Sequence, residues 1–334
     1  MKDKGAWLVT LAILVIASAF TIFAGISIYN LTSRPGSAKD KDKEIVSADD
    51  TQETGENDPA SEGPEDTTAD TAEPTTDPNY NPLDDGIPVV HPLTDEQLDY
   101  IASHYDGTSE YVYTAPDMGE SGIPASLEHF KQKLAGIDRI LFTGEPMNAY
   151  FTFVLTHEYE ENITNQILDM LSYYNVHATF FLCQGYAEAY PEIVERLIKD
   201  GHEIGSLGAS YPDGGLSTYG LKDQMNDIIQ FQTFMENTYN YTMKRFYPCG
   251  EMISCQSAVL WTQMGFDVVL YGAAYEDYSH DAEIDPEAFL NDMKAYLHNG
   301  VIYRFHTTNQ STNNLMPGLI TYLQQSGFTI SLLP

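Results

Sequence analysis

The chain has 334 residues, a formal net charge of −33 at neutral pH and 12% aromatic residues. Such acidity argues against a nucleic-acid partner, because contacts to phosphates need cationic side chains. The length allows one sizeable domain with accessory segments. Long apolar runs after residue 135 predict that this part of the chain holds a well-filled core.

An apolar run from Trp7 to Leu31 is long enough to cross a bilayer, for which about 20 apolar residues suffice. The alternative is a cleaved signal peptide, with Ala17-Ser18-Ala19 as the cleavage site of small residues. The uncleaved anchor is preferred because apolar residues continue beyond that site. The sequence therefore predicts a membrane anchor over residues 1–32.

Residues 33–90 are rich in Thr, Asp, Glu and Pro and contain few large apolar side chains. A segment of this composition cannot bury enough apolar surface to offset the entropy lost on ordering. We predict a disordered acidic linker. It serves either as a tether that reaches away from a membrane or as a solvated spacer of no specific function.

The chain contains three cysteines, Cys183, Cys249 and Cys255. An odd number at irregular spacing is not a disulfide framework. Two interpretations stay open at this point. Cys249 and Cys255 form a bridge in an oxidising compartment, or all three residues are free thiols.

Helical patterns at Thr94–His104 and Ala125–Leu134 predict a helical segment over residues 91–134, ahead of a main domain over 135–334. The strands predicted in that domain are Tyr150–Leu155, His177–Cys183, Glu203–Gly205, Phe246–Pro248, Val268–Tyr271, Val301–Phe305 and Thr329–Leu332. The helices predicted between the earlier strands are Ile163–Tyr174, Pro191–Asp200 and Leu221–Thr238. This alternation is typical of an α/β fold with a parallel sheet.

Six short segments of the main domain occur in the order and with the residue types of one known family. They are Ile167-Leu168-Asp169-Met170-Leu171, Ala178-Thr179-Phe180-Phe181, Gly201-His202-Glu203-Ile204-Gly205, Ala274-Tyr275-Glu276-Asp277-Tyr278, Gly300–Thr307 and Ser326-Gly327-Phe328-Thr329. Together they resemble the polysaccharide deacetylases (the NodB homology domain, carbohydrate esterase family 4), and in particular the peptidoglycan N-acetylmuramic acid deacetylases of the delta-lactam type. The resemblance implies an incomplete (β/α)7-type barrel with its site at the carboxyl ends of the strands.

In the family, two histidines late in the segment that begins with Gly-His-Glu bind a catalytic divalent metal. Leu207 and Tyr211 stand at these positions here. Leucine has no lone pair to donate, and a phenol is a poor substitute for imidazole. We therefore predict no cofactor, and a divalent metal such as zinc only if other residues have rebuilt a site. The residues considered for such a site are His157, Glu158, Cys249 and His306.

The catalytic positions implied by the resemblance are Glu158, Asp277 and His306. Glu158 stands where the family has its general base, in a shorter segment, and is either a residual base or a solvated loop acid. Asp277 keeps the acidic position of the family segment that Ala274–Tyr278 resembles. His306 keeps the position of the general acid, although a histidine retained for packing at a strand end is the alternative. Phe246 replaces the arginine that holds the base carboxylate in the family.

Tyr211, Tyr247 and Tyr278 are aromatic where the family often has polar ligands or tryptophan. They suit a surface on which sugars stack. Simple filling of a vacated cavity is the alternative, and it is the slightly preferred one. These three tyrosines are the predicted substrate-binding residues.

The function implied is that of a polysaccharide deacetylase-like protein of carbohydrate or peptidoglycan metabolism, without metal-dependent N-deacetylase activity. Cell-wall glycan and the membrane are its expected partners. Cations flank the predicted anchor on both sides and therefore do not decide its orientation. The resemblance implies a single-pass protein of the cell membrane with its C-terminal domain outside the cytoplasm. The alternatives are an active amidohydrolase with a rebuilt site and a module that binds another protein.

Overall fold

The computed structural model describes residues 90–159 and 162–334. The predicted anchor over 1–32 and nearly all of the linker predicted over 33–90 therefore lie outside the described residues. No helix in the described part is both long enough and apolar enough to span a membrane.

The helices of the described part carry recognisable start and stop signals. They are α1 (Asp95–His104), α2 (Ala125–Lys133), α3 (Ile163–Tyr173), α4 (Gln184–Ala189), α5 (Pro191–Lys199), α6 (Leu221–Tyr239), α7 (Cys255–Gln263), α8 (Pro286–Ala295) and α9 (Gln310–Gln325). Helix α1 begins with a capping box in which Thr94 and Gln97 bond each other's backbone N–H. Helix α5 begins at Pro191, which has no N–H to leave unpaired, and is followed by Gly201 at φ +80°.

The strands are β1 (Glu110–Tyr111), β2 (Ile140–Leu141), β3 (Asn148–Leu155), β4 (Thr179–Leu182), β5 (Glu203–Ser206), β6 (Arg245–Phe246), β7 (Met252–Ile253), β8 (Asp267–Val269), β9 (Ala273–Ala274), β10 (Val301–His306) and β11 (Thr329–Ser331). Nine of them form one sheet in the order β2-β8-β6-β5-β4-β3-β10-β9, with β11 added to β3. Every pairing in this sheet is parallel. Strands β1 and β7 form a separate antiparallel pair.

The centre of the sheet is built from near-continuous apolar sequence, as expected for parallel strands that are covered on both faces. In β3 only the first residue, Asn148, is not buried. The rings of Phe153 and Phe180 stack with their centroids 4.8 Å apart, and Phe305 packs 5.7 Å from Phe153. Strands β2 and β9 end the sheet without pairing to each other, so the barrel is open, as the resemblance implies.

The predicted strands and helices of the main domain are confirmed, with bounds that differ by a few residues. One boundary is wrong in an instructive way. The strand predicted over Phe246–Pro248 ends at Phe246, and Pro248 has no N–H to donate to a neighbouring strand. The two-residue strands β2 and β9 and the helix α4 were not predicted, because so few residues give no readable periodicity.

The carboxyl ends of the parallel strands lie at one edge of the sheet. Five residues that the sequence analysis singles out lie at a strand end there or within three residues of one. Glu158 follows β3, Leu207 follows β5, Tyr247 follows β6, Asp277 follows β9, and His306 is the last residue of β10. The topology thus brings residues from distant parts of the chain to one edge.

Candidate functional site

Asp277 and His306 are in direct contact. The Asp277 side chain is fully buried, and its Oδ1 lies 2.8 Å from Nδ1 of His306. Its Oδ2 accepts the backbone N–H of His306 at 2.8 Å and the hydroxyl of Thr312 at 3.3 Å. These donors compensate the burial of the carboxylate.

The two partners of His306 Nδ1 fix the tautomer of the ring. Besides Asp277, Nη1 of Arg304 lies 3.0 Å from the same nitrogen. If Nδ1 accepted from Arg304, two acceptors without a proton between them, Nδ1 and Oδ1 of Asp277, would lie 2.8 Å apart, so donation to the Asp277 carboxylate is the favoured arrangement. Nδ1 therefore carries a proton that it donates to Asp277.

Arg304 is a buried cation that the sequence analysis did not single out. It lies in β10 two residues before His306, and alternation along the strand places both side chains on the same face. The Arg304 side chain is 8% exposed and forms an ion pair of 2.8 Å with Glu251. Asp277 lies 3.8 Å from its Nη1, and the ring of Tyr271 lies 5.0 Å from its Cζ.

Burial alone would lower the pKa of Arg304. The nearby Tyr247, Glu251 and Tyr271 outweigh it and raise that pKa. The residue therefore stays cationic, as buried arginines with a carboxylate partner do.

Glu251 is the carboxylate at the centre of this network. Its Oε1 binds Arg304 and accepts from the hydroxyl of Tyr247 at 3.2 Å. Its Oε2 accepts from the hydroxyl of Tyr111. The preceding Gly250 has φ +66°, and a Cβ there would lie 2.8 Å from the backbone of Gly215. Glycine is thus required for the close approach that delivers Glu251 to the cavity.

Arg304, Glu251 and His306 face a cavity of about 580 Å³ at the carboxyl edge of the sheet. Volumes of this size hold small-molecule ligands. Half of its lining residues are tyrosines: Tyr111, Tyr113, Tyr211, Tyr247, Tyr271, Tyr275, Tyr278 and Tyr296. The three predicted substrate-binding tyrosines are among them.

Three of these tyrosines, Tyr111, Tyr211 and Tyr247, act as neutral hydroxyl donors with apolar ring faces. Burial, followed by Cys249 and Glu251, raises the pKa of Tyr211 to about 12. Burial and the bond to Glu251 raise the pKa of Tyr111 to about 12 as well. Burial raises the pKa of Tyr247 well above its ordinary value. Their phenols therefore stay protonated at neutral pH.

The segment after β5 carries the two replaced metal-ligand positions. Leu207 is fully buried and belongs to the apolar core. Tyr211 lines the cavity and has φ +43°, a left-handed conformation that costs a bulky residue about 1–2 kcal/mol. Asp227 of α6 holds the segment by accepting the N–H of Ala209 at 2.7 Å and of Ser210 at 3.1 Å.

Phe246 is also fully buried, and its ring packs 4.5 Å from that of Trp261. It therefore offers nothing to the cavity. Glu158 lies apart from the cavity lining. Its Oε1 accepts from the hydroxyls of Tyr186, at 2.6 Å, and of Thr164. The structure thus brings Asp277 and His306 together and places Glu158 elsewhere, so a role for Glu158 as base stays a prediction.

The residues considered for a rebuilt metal site do not gather. Within residues 90–159 and 162–334, no three His, Cys, Asp or Glu side chains are close enough to hold a metal ion. The Cys249 Sγ accepts the N–H of Leu216 at 3.3 Å, and burial raises the pKa of its thiol to about 12. Cys183, Cys249 and Cys255 are all free thiols. The donor set present does not fit the metal that the resemblance implies.

Arg304 and Glu251, which form the ion pair of this site, escaped the sequence analysis, and only Arg304 left a signal. Arg304 is the only charged residue in the buried strand Val301–His306. Since arginine is almost never fully buried without a partner, it marks an ion pair. Glu251 follows Gly250, but nothing in its own sequence context reveals that its partner lies in β10.

Comparison with known families and relatives identifies the domain. Residues 147–269 match the family model described as polysaccharide deacetylase. The peptidoglycan-N-acetylmuramic acid deacetylase PdaA of Bacillus subtilis is 26% identical over 184 residues, which are 54% of this chain and 67% of PdaA. The peptidoglycan-N-acetylglucosamine deacetylase of Bacillus cereus is 28% identical over 177 residues, 51% of this chain and 62% of that protein.

Solved structures show the same fold. The structure of Bacillus subtilis PdaA, described as a family 4 carbohydrate esterase, superposes with a TM-score of 0.60 at 19% identity and covers 68% of this chain and 96% of PdaA. A mutant of BA3943, described as a pseudoenzyme of the same family, gives a TM-score of 0.51 at 17% identity over 56% of this chain and 66% of that one. Residues 147–269 therefore carry a polysaccharide deacetylase domain, which is homologous to the peptidoglycan deacetylases PdaA and PdaC of Bacillus subtilis.

Proposed function

We propose that this protein is a membrane-anchored, cell-wall-facing glycan-binding member of the polysaccharide deacetylases that has no metal-dependent N-deacetylase activity. The observation that carries the proposal is the lining of the cavity. At the positions where the family has metal-binding histidines stand Leu207, buried in the core, and Tyr211, which lines the cavity.

Hydrolysis of an acetamide needs an activated water and stabilisation of the oxyanion, and in the family the metal supplies both. Neither the leucine side chain nor a phenol with a pKa of about 12 is a good ligand for such an ion. Phe246, where the family has an arginine, is equally unable to bind a carboxylate. The replaced groups are the family's two metal-binding histidines and the arginine that holds the base carboxylate, and all three serve hydrolysis in the family.

The groups that line the cavity suit the binding of a sugar. Tyrosine rings offer faces for the C–H groups of a pyranose, and their hydroxyls donate hydrogen bonds. Arg304 and Glu251 hold several of these rings through the contacts described above. The membrane anchor over residues 7–31 and the acidic linker, both predicted from sequence, would present this cavity to the cell wall.

The test uses the full-length protein in detergent. It is loaded with zinc, desalted and analysed for metal by mass spectrometry, and it is titrated with oligosaccharide fragments of peptidoglycan in the presence and absence of EDTA. We expect no retained zinc, no released acetate, and binding that EDTA does not change. Failure to bind any fragment contradicts the proposal.

One observation favours a second candidate, an active amidohydrolase with a rebuilt site. The contact between Asp277 and His306 occupies Nδ1 and leaves Nε2 of His306, a residue that lines the cavity, for a substrate. Such a group can donate a proton to a leaving amine after it has first accepted one. Acetate release that disappears in the His306→Ala variant would establish this candidate. The absence of release with every divalent metal tested would exclude it.

A further inference from the structure

The tyrosine-lined cavity continues into a second hollow. A groove of about 420 Å³ shares four lining residues with it: Ala274, Tyr275, Glu276 and Tyr296. The two hollows are therefore parts of one cleft. The combined cleft is larger than the cavity alone and suits an oligosaccharide rather than a single sugar.

The charges that line this cleft are mostly negative. Three carboxylates line the groove, Glu276, Glu283 and Asp292, and its lining residues include no Lys, Arg or His. All three residues are exposed. The surrounding domain strengthens the field, since residues 91–334 contain 32 acidic and 10 basic side chains.

The one cation that lines the cleft does not offset this charge. Arg304 is already paired with Glu251 at 2.8 Å and lies 3.8 Å from Asp277. Its Nε has no hydrogen-bond partner among the described residues. A buried donor in that state favours a ligand that brings an oxygen acceptor, such as a sugar hydroxyl, rather than a second cation at that point.

The tyrosines add to the attraction for positive charge. Ring faces of tyrosine attract ammonium groups through their quadrupole. Tyr275 and Tyr296 line both hollows. Asp292 lies close enough to both rings to contribute to the raised pKa of each, after burial. Aromatic faces and carboxylates thus occur together along the shared wall.

We propose that the cleft binds glycans whose amino sugars carry free, protonated amino groups. The proposal rests on the proposed glycan-binding function and names its ligand class. The sugar rings would lie against the tyrosines, with an oxygen near Arg304, while the ammonium groups would face Glu276, Glu283 and Asp292. Such a glycan arises when an amide hydrolase elsewhere adds water to an N-acetyl group, releasing acetate and leaving the amine.

The test compares two tetrasaccharides of equal length on the full-length protein by isothermal titration calorimetry. One consists of glucosamine and the other of N-acetylglucosamine, at a mildly acidic pH where the amines are protonated. We expect the glucosamine tetramer to bind at least about tenfold more tightly, and its affinity to fall with added salt. Equal or tighter binding of the acetylated tetramer overturns the inference but leaves glycan binding intact. Failure of both to bind means that the proposed function itself has failed.

A variant pair separates the cleft from the general acidity of the protein. Glu276→Gln combined with Glu283→Gln removes two carboxylates that line the groove. The control is Glu192→Gln combined with Glu195→Gln, which removes two exposed carboxylates on α5. We expect the first pair to weaken the glucosamine tetramer about tenfold and the control to change it less than about twofold. Equal losses in both pairs would mean non-specific attraction and would overturn the inference.

Discussion

The two sides of the cavity differ in what they have kept. On one side, called here the β10 wall, Asp277, Arg304 and His306 form a buried polar network whose carboxylates are paired. On the other, called here the β5 wall, Tyr211 lines the cavity, while the nearby replaced positions Leu207 and Phe246 are fully buried in the apolar core and do not line it. One wall is held by hydrogen bonds and charge, the other by apolar packing.

The difference shows that polar and apolar side chains at one edge of a sheet are subject to different energetic constraints. A buried charge that loses its partner costs several kcal/mol, so the members of a paired network tend to be retained together. A position that packs against the core can instead become apolar at little cost in stability. The β10 wall is therefore expected to matter for folding as well as for ligands, and the β5 wall chiefly for packing.

The largest expected effect is on the β10 wall. Replacing Asp277 with alanine leaves the His306 N–H, the Thr312 hydroxyl and Arg304 without that acceptor. We expect the free energy of unfolding to fall by about 3–5 kcal/mol, measured by urea denaturation. Asp281→Ala is the control, because the Asp281 side chain is 95% exposed, and should change stability by less than about 0.5 kcal/mol. Similar losses in both variants would show that the network is not a stabilising unit.

The next largest effect tests whether the backbone of the β5 wall still holds positions 207 and 211 in a geometry that can bind a metal. Leu207→His combined with Tyr211→His restores the two histidines that the resemblance implies. Without metal, a buried imidazole in place of Leu207 should cost about 2–3 kcal/mol. With zinc the melting temperature should recover, because a ligand that binds only the folded state stabilises it. A melting temperature that zinc leaves unchanged would show that the backbone does not hold these two positions in a metal-binding geometry.

The same segment contains a histidine that is structural. His202 accepts the N–H of Ala178 on its Nδ1 at 3.2 Å. Burial, followed by the nearby His177, lowers its pKa to about 4. Since the unfolded value is about 6.5, its contribution to stability is full above that pH and is lost as the pH falls towards 4.

We expect this loss to amount to about 2 kcal/mol and to be absent in His202→Gln. The measurement is the urea midpoint as a function of pH. His104→Gln, at an exposed position of α1, serves as the control and should keep the pH dependence of the parent protein. A parent curve that is flat between these two pH values would contradict the assignment.

The smallest effect on stability is expected at the cavity mouth. Tyr278 lines the cavity and is 63% exposed. Tyr278→Ala should change the free energy of unfolding by less than about 0.5 kcal/mol and weaken glycan binding by about fivefold. Tyr173→Ala removes a ring that is 83% exposed on α3 and should change neither. An unaltered affinity in Tyr278→Ala would remove this residue from the binding surface.

Much of the fold could be predicted because its signals are local. Apolar runs such as Tyr150–Leu155 predict strands covered on both faces, and Pro191 with Gly201 marks the two ends of a helix. The pairing of Asp277 with His306 was also accessible, through the motifs that the family shares. The two-residue strands β2, β7 and β9 were not, since periodicity needs more residues than they have.

The sequence by itself determined the α/β alternation, the family, and the absence of imidazoles at positions 207 and 211. Those features depend on residue types and spacings along the chain. Only the tertiary structure decided that Arg304 meets Glu251, that eight tyrosines surround one cavity, and that Glu158 lies apart from it. These contacts join residues far apart in sequence, and parallel pairing of β3, β5, β6 and β10 brings their carboxyl ends together at one edge.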